Sequence, residues 1–94
     1  MKRVLKWNIP VDDRRHTIGG GQVLHAACQN HYDVIQVWTE ETGEKPDRIE
    51  AQIFGTGYTY PDDGVAVATV PVKFGTHDLV WHVIVFPDTK RSDW

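Results

Sequence analysis

The sequence predicts an all-β chain, a single small antiparallel β-sandwich or partly open barrel of six to seven strands. Three observations predict it. Apolar and polar residues alternate with a period of two over most of the 94 residues, as they do in strands whose side chains point to opposite faces in turn. Breaks rich in Gly, Pro, Asn and Asp recur every 8 to 15 residues. No stretch of 11 or more residues carries a helical period, and the nearest candidate, Val23 to Val37, is too rich in β-branched residues for a helix.

The first strand runs from Arg3 to Ile9, with Leu5, Trp7 and Ile9 on one face and Lys6 and Asn8 on the other. Pro10 ends it, because proline has no N–H for a sheet ladder. A polar bend through Asp12 to Arg15 leads to His16-Thr17-Ile18, the short strand that would make seven. Gly19-Gly20-Gly21 breaks the chain. From Gln22 to Gln29 the alternation places Leu24, Ala26 and Cys28 on one face and Val23, His25 and Ala27 on the other, with Asn30-His31 as a tight hairpin connection.

Tyr32 to Thr39 is β-branched and aromatic, hence a strand, and Glu40 to Asp47 reads as a loop. Arg48 to Phe54 puts Ile49, Ala51 and Ile53 inward and Arg48, Glu50 and Gln52 outward. Gly55-Thr56-Gly57 breaks it, and Tyr58 to Gly64 reads as an irregular, partly packed loop. Val65 to Val72 is a strand that Pro71 assigns to an edge or a terminus. After a turn over Lys73 to Asp78, Leu79 to Phe86 is apolar on both faces, interrupted only by His82. Such a strand lies centrally, or has one face covered by another subunit. The expected domain is therefore 1–86, with 87–94 as a flexible polar tail.

Composition narrows the function classes. Apolar residues make up 40% and charged residues 24%, ordinary values for a folded domain. The net charge of −3 argues against general nucleic-acid binding, which draws on a basic stripe to displace counterions. Basic pairs at Lys2-Arg3, Arg14-Arg15 and Lys90-Arg91 are offset by Asp12-Asp13, Glu40-Glu41 and Asp62-Asp63. A single cysteine, Cys28, leaves no internal disulfide and fits a reducing interior. No stretch reads as a signal peptide or a membrane span.

Five histidines are spaced 9, 6, 46 and 5 residues apart, without a close ligand pair, so no metal site is expected. His82 is expected to be an imidazole held by backbone groups. Cys28, flanked by alanines, is expected to pack rather than react. No catalytic motif occurs, so neither an enzyme nor a cofactor is expected. The glycine clusters are the features with binding potential. Successive glycine N–H groups in Gly55-Thr56-Gly57 can form a concavity for an anion. Thr56 adds a hydroxyl, Tyr58 and Tyr60 offer rings for stacking, and Arg14, Arg15 and Arg48 offer charge for a phosphate. The competing expectation is that these glycines serve only as turns. Four tryptophans in 94 residues are many. If Trp38 or Trp81 faces outward it marks an interface, with self-association as one outcome.

The order Trp7-Asn8-Ile9-Pro10, Val23-Leu24-His25, Phe54-Gly55-Thr56-Gly57, Pro61-Asp62-Asp63 and Leu79-Val80-Trp81-His82-Val83 resembles a family of small proteins encoded in bacteriophages and prophages. The resemblance spans residues 4 to 86 but not Trp38-Thr39-Glu40-Glu41 or the chain after Phe86. It implies a compact phage-encoded domain and carries no activity and no catalytic residue. The resulting expectation is a non-enzymatic accessory protein of the host cytoplasm that binds a host protein or its own copies. The alternatives are a protein that sequesters a nucleotide-type signal of host defence, and a minor virion component.

Overall fold

The computed structural model describes residues 1–42 and 48–86, so the expected tail at 87–94 lies outside the described residues. Among these residues there are seven strands and no helix: β1 (Arg3–Pro10), β2 (His16–Gly19), β3 (Gln22–Ala27), β4 (Val34–Glu41), β5 (Arg48–Gly55), β6 (Val65–Phe74) and β7 (His77–Phe86). They form two antiparallel sheets, one ordered β1-β4-β3 and the other β2-β5-β7-β6, with no closed barrel. The sandwich expectation therefore holds, including the short seventh strand at residues 16–18.

The core lies between the sheets. Ile9, Ile35 and Val37 from the first sheet meet Ile18, Ile49, Ala51, Ile53, Val70, Val83 and Val85 from the second. The alternation in β1 and β5 is as the sequence predicts, with Trp7 and Ile9 inward and Ile49, Ala51 and Ile53 buried. In β3 the prediction fails at two residues, Val23 and Leu24. The register slips between Val23 and His25, so Leu24 is an extra residue in the strand. Such a bulge resets the alternation. Val23 consequently packs inward together with Ala26 and Cys28, while Leu24, expected on their face, is exposed.

Three connections differ from expectation. Asn30-His31 is not a two-residue hairpin but part of a longer connection, Cys28 to Asp33, closed by Val34 N–H donating to the His31 carbonyl at 3.1 Å. The Gln36 amide oxygen accepts from Gln29 N–H at 2.7 Å and its nitrogen donates to Asn8 Oδ1 at 3.1 Å, which satisfies a buried amide outside the core. Glu40 and Glu41, expected in a loop, extend β4, because β1 pairs with them as far as Arg3. The rest of that expected loop, residues 43–47, lies outside the described residues. The expected turn at 73–78 shortens to Gly75-Thr76, with Gly75 at φ +65°.

Gly20 carries the crossing from β2 in one sheet to β3 in the other. It sits at φ +89°, and a Cβ there would lie 2.5 Å from Thr39 Oγ1. Thr39, fully buried, donates to the Gly19 carbonyl at 2.8 Å and accepts from the Trp7 indole N–H at 3.1 Å. One hydroxyl thus ties β1, β4 and the crossing together.

β7 lies between β5 and β6, which accounts for its two apolar faces. Val83 and Val85 face the core. Ile84 and Phe86 lie on the outer face and are nevertheless fully buried. The chain itself covers them. The Arg15 guanidinium stacks 3.6 Å from the centre of the Phe86 ring, and Gly64 approaches so closely that a Cβ would meet Ile84, Phe86 and Tyr60 within 2.9 Å. β6 is an edge strand, where the missing N–H of Pro71 costs no ladder bond.

Candidate functional site

The Gly55-Thr56-Gly57 turn ends β5 and starts the segment that folds back over the outer face of β7. Tyr58 N–H donates to the Gly55 carbonyl at 3.3 Å, and Gly64 N–H to the Pro61 carbonyl at 2.9 Å, so both ends of the segment are tight turns. Between them Tyr60 packs its ring on Phe54, centroids 5.5 Å apart and planes tilted by 45°.

A cavity of about 210 Å³ opens beneath this segment, lined by Phe54, Tyr58, Tyr60, Ala66, Ile84 and His82 together with residues 55–57. His82 forms its polar side. Thr56 Oγ1 lies 2.8 Å from His82 Nε2, and Thr69 Oγ1 lies 3.2 Å from Nδ1. The imidazole is thus half-buried and held by two threonine hydroxyls, not by the backbone groups expected from the sequence. One hydroxyl comes from the turn and the other from β6, so the pair fixes the turn to the sheet.

A larger cavity of about 620 Å³ lies on the other side of the same turn, at the end of the sandwich. Ile53, Leu79, Val80 and Val11 give it aliphatic walls, Trp81 and Tyr58 give it rings, and Asp13 and Asp78 give it carboxylates. Gly55, Thr56 and Tyr58 line both cavities. Gly55 matters here because a Cβ would come 3.4 Å from the six-membered ring of Trp81. The Trp81 indole donates to the Tyr32 carbonyl at 3.0 Å, in the connection between β3 and β4. This bond spans from one sheet to the other.

Of the residues singled out in the sequence, Gly55, Thr56, Gly57, Tyr58 and Tyr60 come together around the smaller cavity. Arg14, Arg15 and Arg48 line neither cavity. Arg15 is engaged by Phe86 and by Glu50 at 3.7 Å. Arg14 is exposed, and its N–H donates to Asp12 Oδ1 at 3.2 Å. Arg48 begins β5 opposite Gly19. Trp81 packs inward against the core. Trp38 faces outward, between the Lys6 ammonium at 5.6 Å and the His25 ring at 5.5 Å. The second glycine cluster is a crossing, as the Gly20 contact with Thr39 requires.

Sequence reasoning missed Thr69, Val11, Asp13 and Asp78 as lining or supporting residues. His82 carried a signal, as the one polar interruption of an apolar run. The others carried none, because their neighbourhood depends on how separate strands and turns are brought together.

The Cys28 thiol donates to the His31 carbonyl at 3.0 Å, and burial, reinforced by the charge of Asp33, pushes its pKa up. That favours the thiol over the reactive thiolate. The Asp12 carboxyl is held below its usual value by His16 Nε2, 2.9 and 3.1 Å from its oxygens. Among the described residues no three His, Cys, Asp or Glu side chains converge as a metal-holding group, and no helix is long and apolar enough to cross a membrane.

A family model described as "Domain of unknown function (DUF7352)" matches residues 1–92. No curated protein and no solved structure matches the chain.

Proposed function

The chain belongs to the DUF7352 family, and from the geometry of its Gly55–Tyr60 end we propose that it acts by binding rather than by catalysis. The observation that carries this reading is the pair of cavities sharing Gly55, Thr56 and Tyr58. Ligand sites are concave, mostly apolar and equipped with a few fixed polar groups, and this end of the sandwich combines those properties. His82, its two threonines and the Trp81 bond hold the walls in place before anything binds, which lowers the ordering cost of association. The resemblance to phage and prophage proteins supports an accessory role in an infected host's cytoplasm, with a host molecule or a second copy as the partner.

A nucleotide-type ligand is the second reading. The smaller cavity favours it, with Phe54, Tyr58 and Tyr60 as surfaces for a base. The arginines that would meet a phosphate line neither cavity, so such a ligand would rely on its base.

Thermal shift separates these readings. Wild-type protein and Tyr58→Ala are melted against nucleotides, cyclic oligonucleotides and small aromatic or aliphatic compounds. A ligand at 100 times its Kd stabilises the fold by about 2.7 kcal/mol. Tyr58 is 70% exposed, so its removal should change intrinsic stability by no more than about 0.5 kcal/mol. The proposal expects a shift in wild type that Tyr58→Ala loses. Shifts equal in both proteins would remove this end of the molecule as the site.

A further inference from the structure

Resting on the reading of this end as a binding site, we propose that the larger cavity takes an organic cation with an apolar body, such as a quaternary ammonium or a guanidinium on a hydrocarbon stem. The inference follows from what the walls offer. The cavity measures about 620 Å³, within the range of small-molecule sites. Its aliphatic walls suit a hydrocarbon body. Its two aromatic lining residues, Trp81 and Tyr58, are of the kind whose ring faces attract weakly hydrated cations. Among the described residues its only charged lining residues are Asp13 and Asp78, with no lysine, arginine or histidine. An anion would therefore meet repulsion from both carboxylates, and a neutral ligand would leave their charge unused.

Neither carboxylate is held by a buried ion pair among the described residues. Asp13 forms no ion pair among the described residues. Asp78 lies 3.4 Å from Lys73, but the two side chains are 75% and 84% exposed, and exposed pairs of this kind hold weakly. A cation seated against aromatic rings would compete with Lys73 for Asp78. The same chemistry has two sources, a free small cation or an arginine side chain of a partner protein.

NMR titration tests the proposal, using the indole N–H of Trp81 as the reporter and a Trp81→Phe sample to assign it. Choline and 3,3-dimethylbutan-1-ol have nearly the same shape and differ in charge. Acetyl-Gly-Arg-Gly-amide presents the cation on a peptide. The proposal expects choline to shift the Trp81 signal and the alcohol to bind roughly tenfold more weakly. It expects Asp13→Asn and Asp78→Asn each to weaken choline about fivefold, and added salt to weaken it further. Asparagine tolerates the left-handed φ of +62° at position 13, so Asp13→Asn should melt like wild type. Tighter binding of the peptide than of choline would support a protein-borne arginine as the source, and the reverse a free cation. Equal binding of choline and the alcohol, or binding untouched by both Asn variants, would overturn the cation assignment while leaving this end a binding site. Silence of the Trp81 signal to all three probes would also overturn it, and the thermal-shift comparison of wild type with Tyr58→Ala would still decide the wider reading independently.

Discussion

At the scale of single residues, two glycines with nearly the same backbone angle differ in what surrounds them. Gly20 at φ +89° faces the Thr39 side chain, whereas a Cβ on Gly57, at φ +92°, would have nothing within 4 Å. Gly57→Ala should therefore cost about 1 kcal/mol, the left-handed penalty alone. Gly20→Ala adds a steric clash and should cost about 3 kcal/mol or more. Equal costs in urea melts would show that Thr39 does not hold the crossing. Thr39→Val keeps the shape but strands the Trp7 N–H and the Gly19 carbonyl, at a cost of about 1–3 kcal/mol. The glycine run was visible in the sequence as a break, but which glycine needs its missing Cβ was not, because Thr39 is distant in the chain.

Cys28 gives a prediction with a sign. Its thiol pKa is raised in the folded state from 9.0. Above the unfolded pKa the native state then holds more protons than the unfolded state, so this contribution is present below about pH 9 and is lost as pH rises past it. Urea melts at pH 7 and pH 10 should show wild type losing more stability than Cys28→Ala over that interval. Alkylation at neutral pH should be slower than for an unstructured cysteine peptide. A thiol reacting as fast as the peptide would contradict both its burial and its bond to the His31 carbonyl.

At the scale of elements, the outer face of β7 shows where alternation stops being informative. The sequence identified a strand apolar on both faces, which meant a central position or a face covered by another subunit. The strand is central, and its outer face is covered by the chain itself. The cover is the 58–64 segment with Arg15, and an arginine in a polar bend gives no sign that it will lie on a phenylalanine 71 positions later. Arg15→Ala removes both the guanidinium and its hydrocarbon stem from Phe86, and should cost about 1–2 kcal/mol. Arg15→Lys should recover only part of that, because an ammonium lacks the planar stacking surface. Full recovery by lysine would mean that charge opposite Glu50, not stacking, is what matters. β3 shows the reverse limit. Its strand was legible, but the bulge at Leu24 was not, since one inserted residue leaves the local pattern looking regular while reversing which side is inside.

At the scale of the whole molecule, the pairing order sets how the chain folds. β6 and β7 are joined by a two-residue turn, so their pairing is local. β1 must find β4 across 38 residues at Arg3 and Glu41, and β2 must find β5 across 35 at His16 and Ala51. Topologies dominated by such pairings fold on the order of milliseconds to seconds. Loop closure favours the β6-β7 hairpin as the first structure to form, ahead of β1-β4 and β5-β7, whose paired residues lie 24 to 38 and 26 to 36 positions apart. Val83, buried in the centre of β7, belongs to that early part, and Thr39 belongs to the late part. Val83→Ala, costing about 1–3 kcal/mol, should mainly slow refolding in stopped-flow fluorescence. Thr39→Val should leave refolding nearly unchanged and speed unfolding instead. If Thr39→Val slowed refolding as much as Val83→Ala did, the two sheets would have to assemble together. The crossing at Gly20 would then be part of the folding nucleus rather than a late closure.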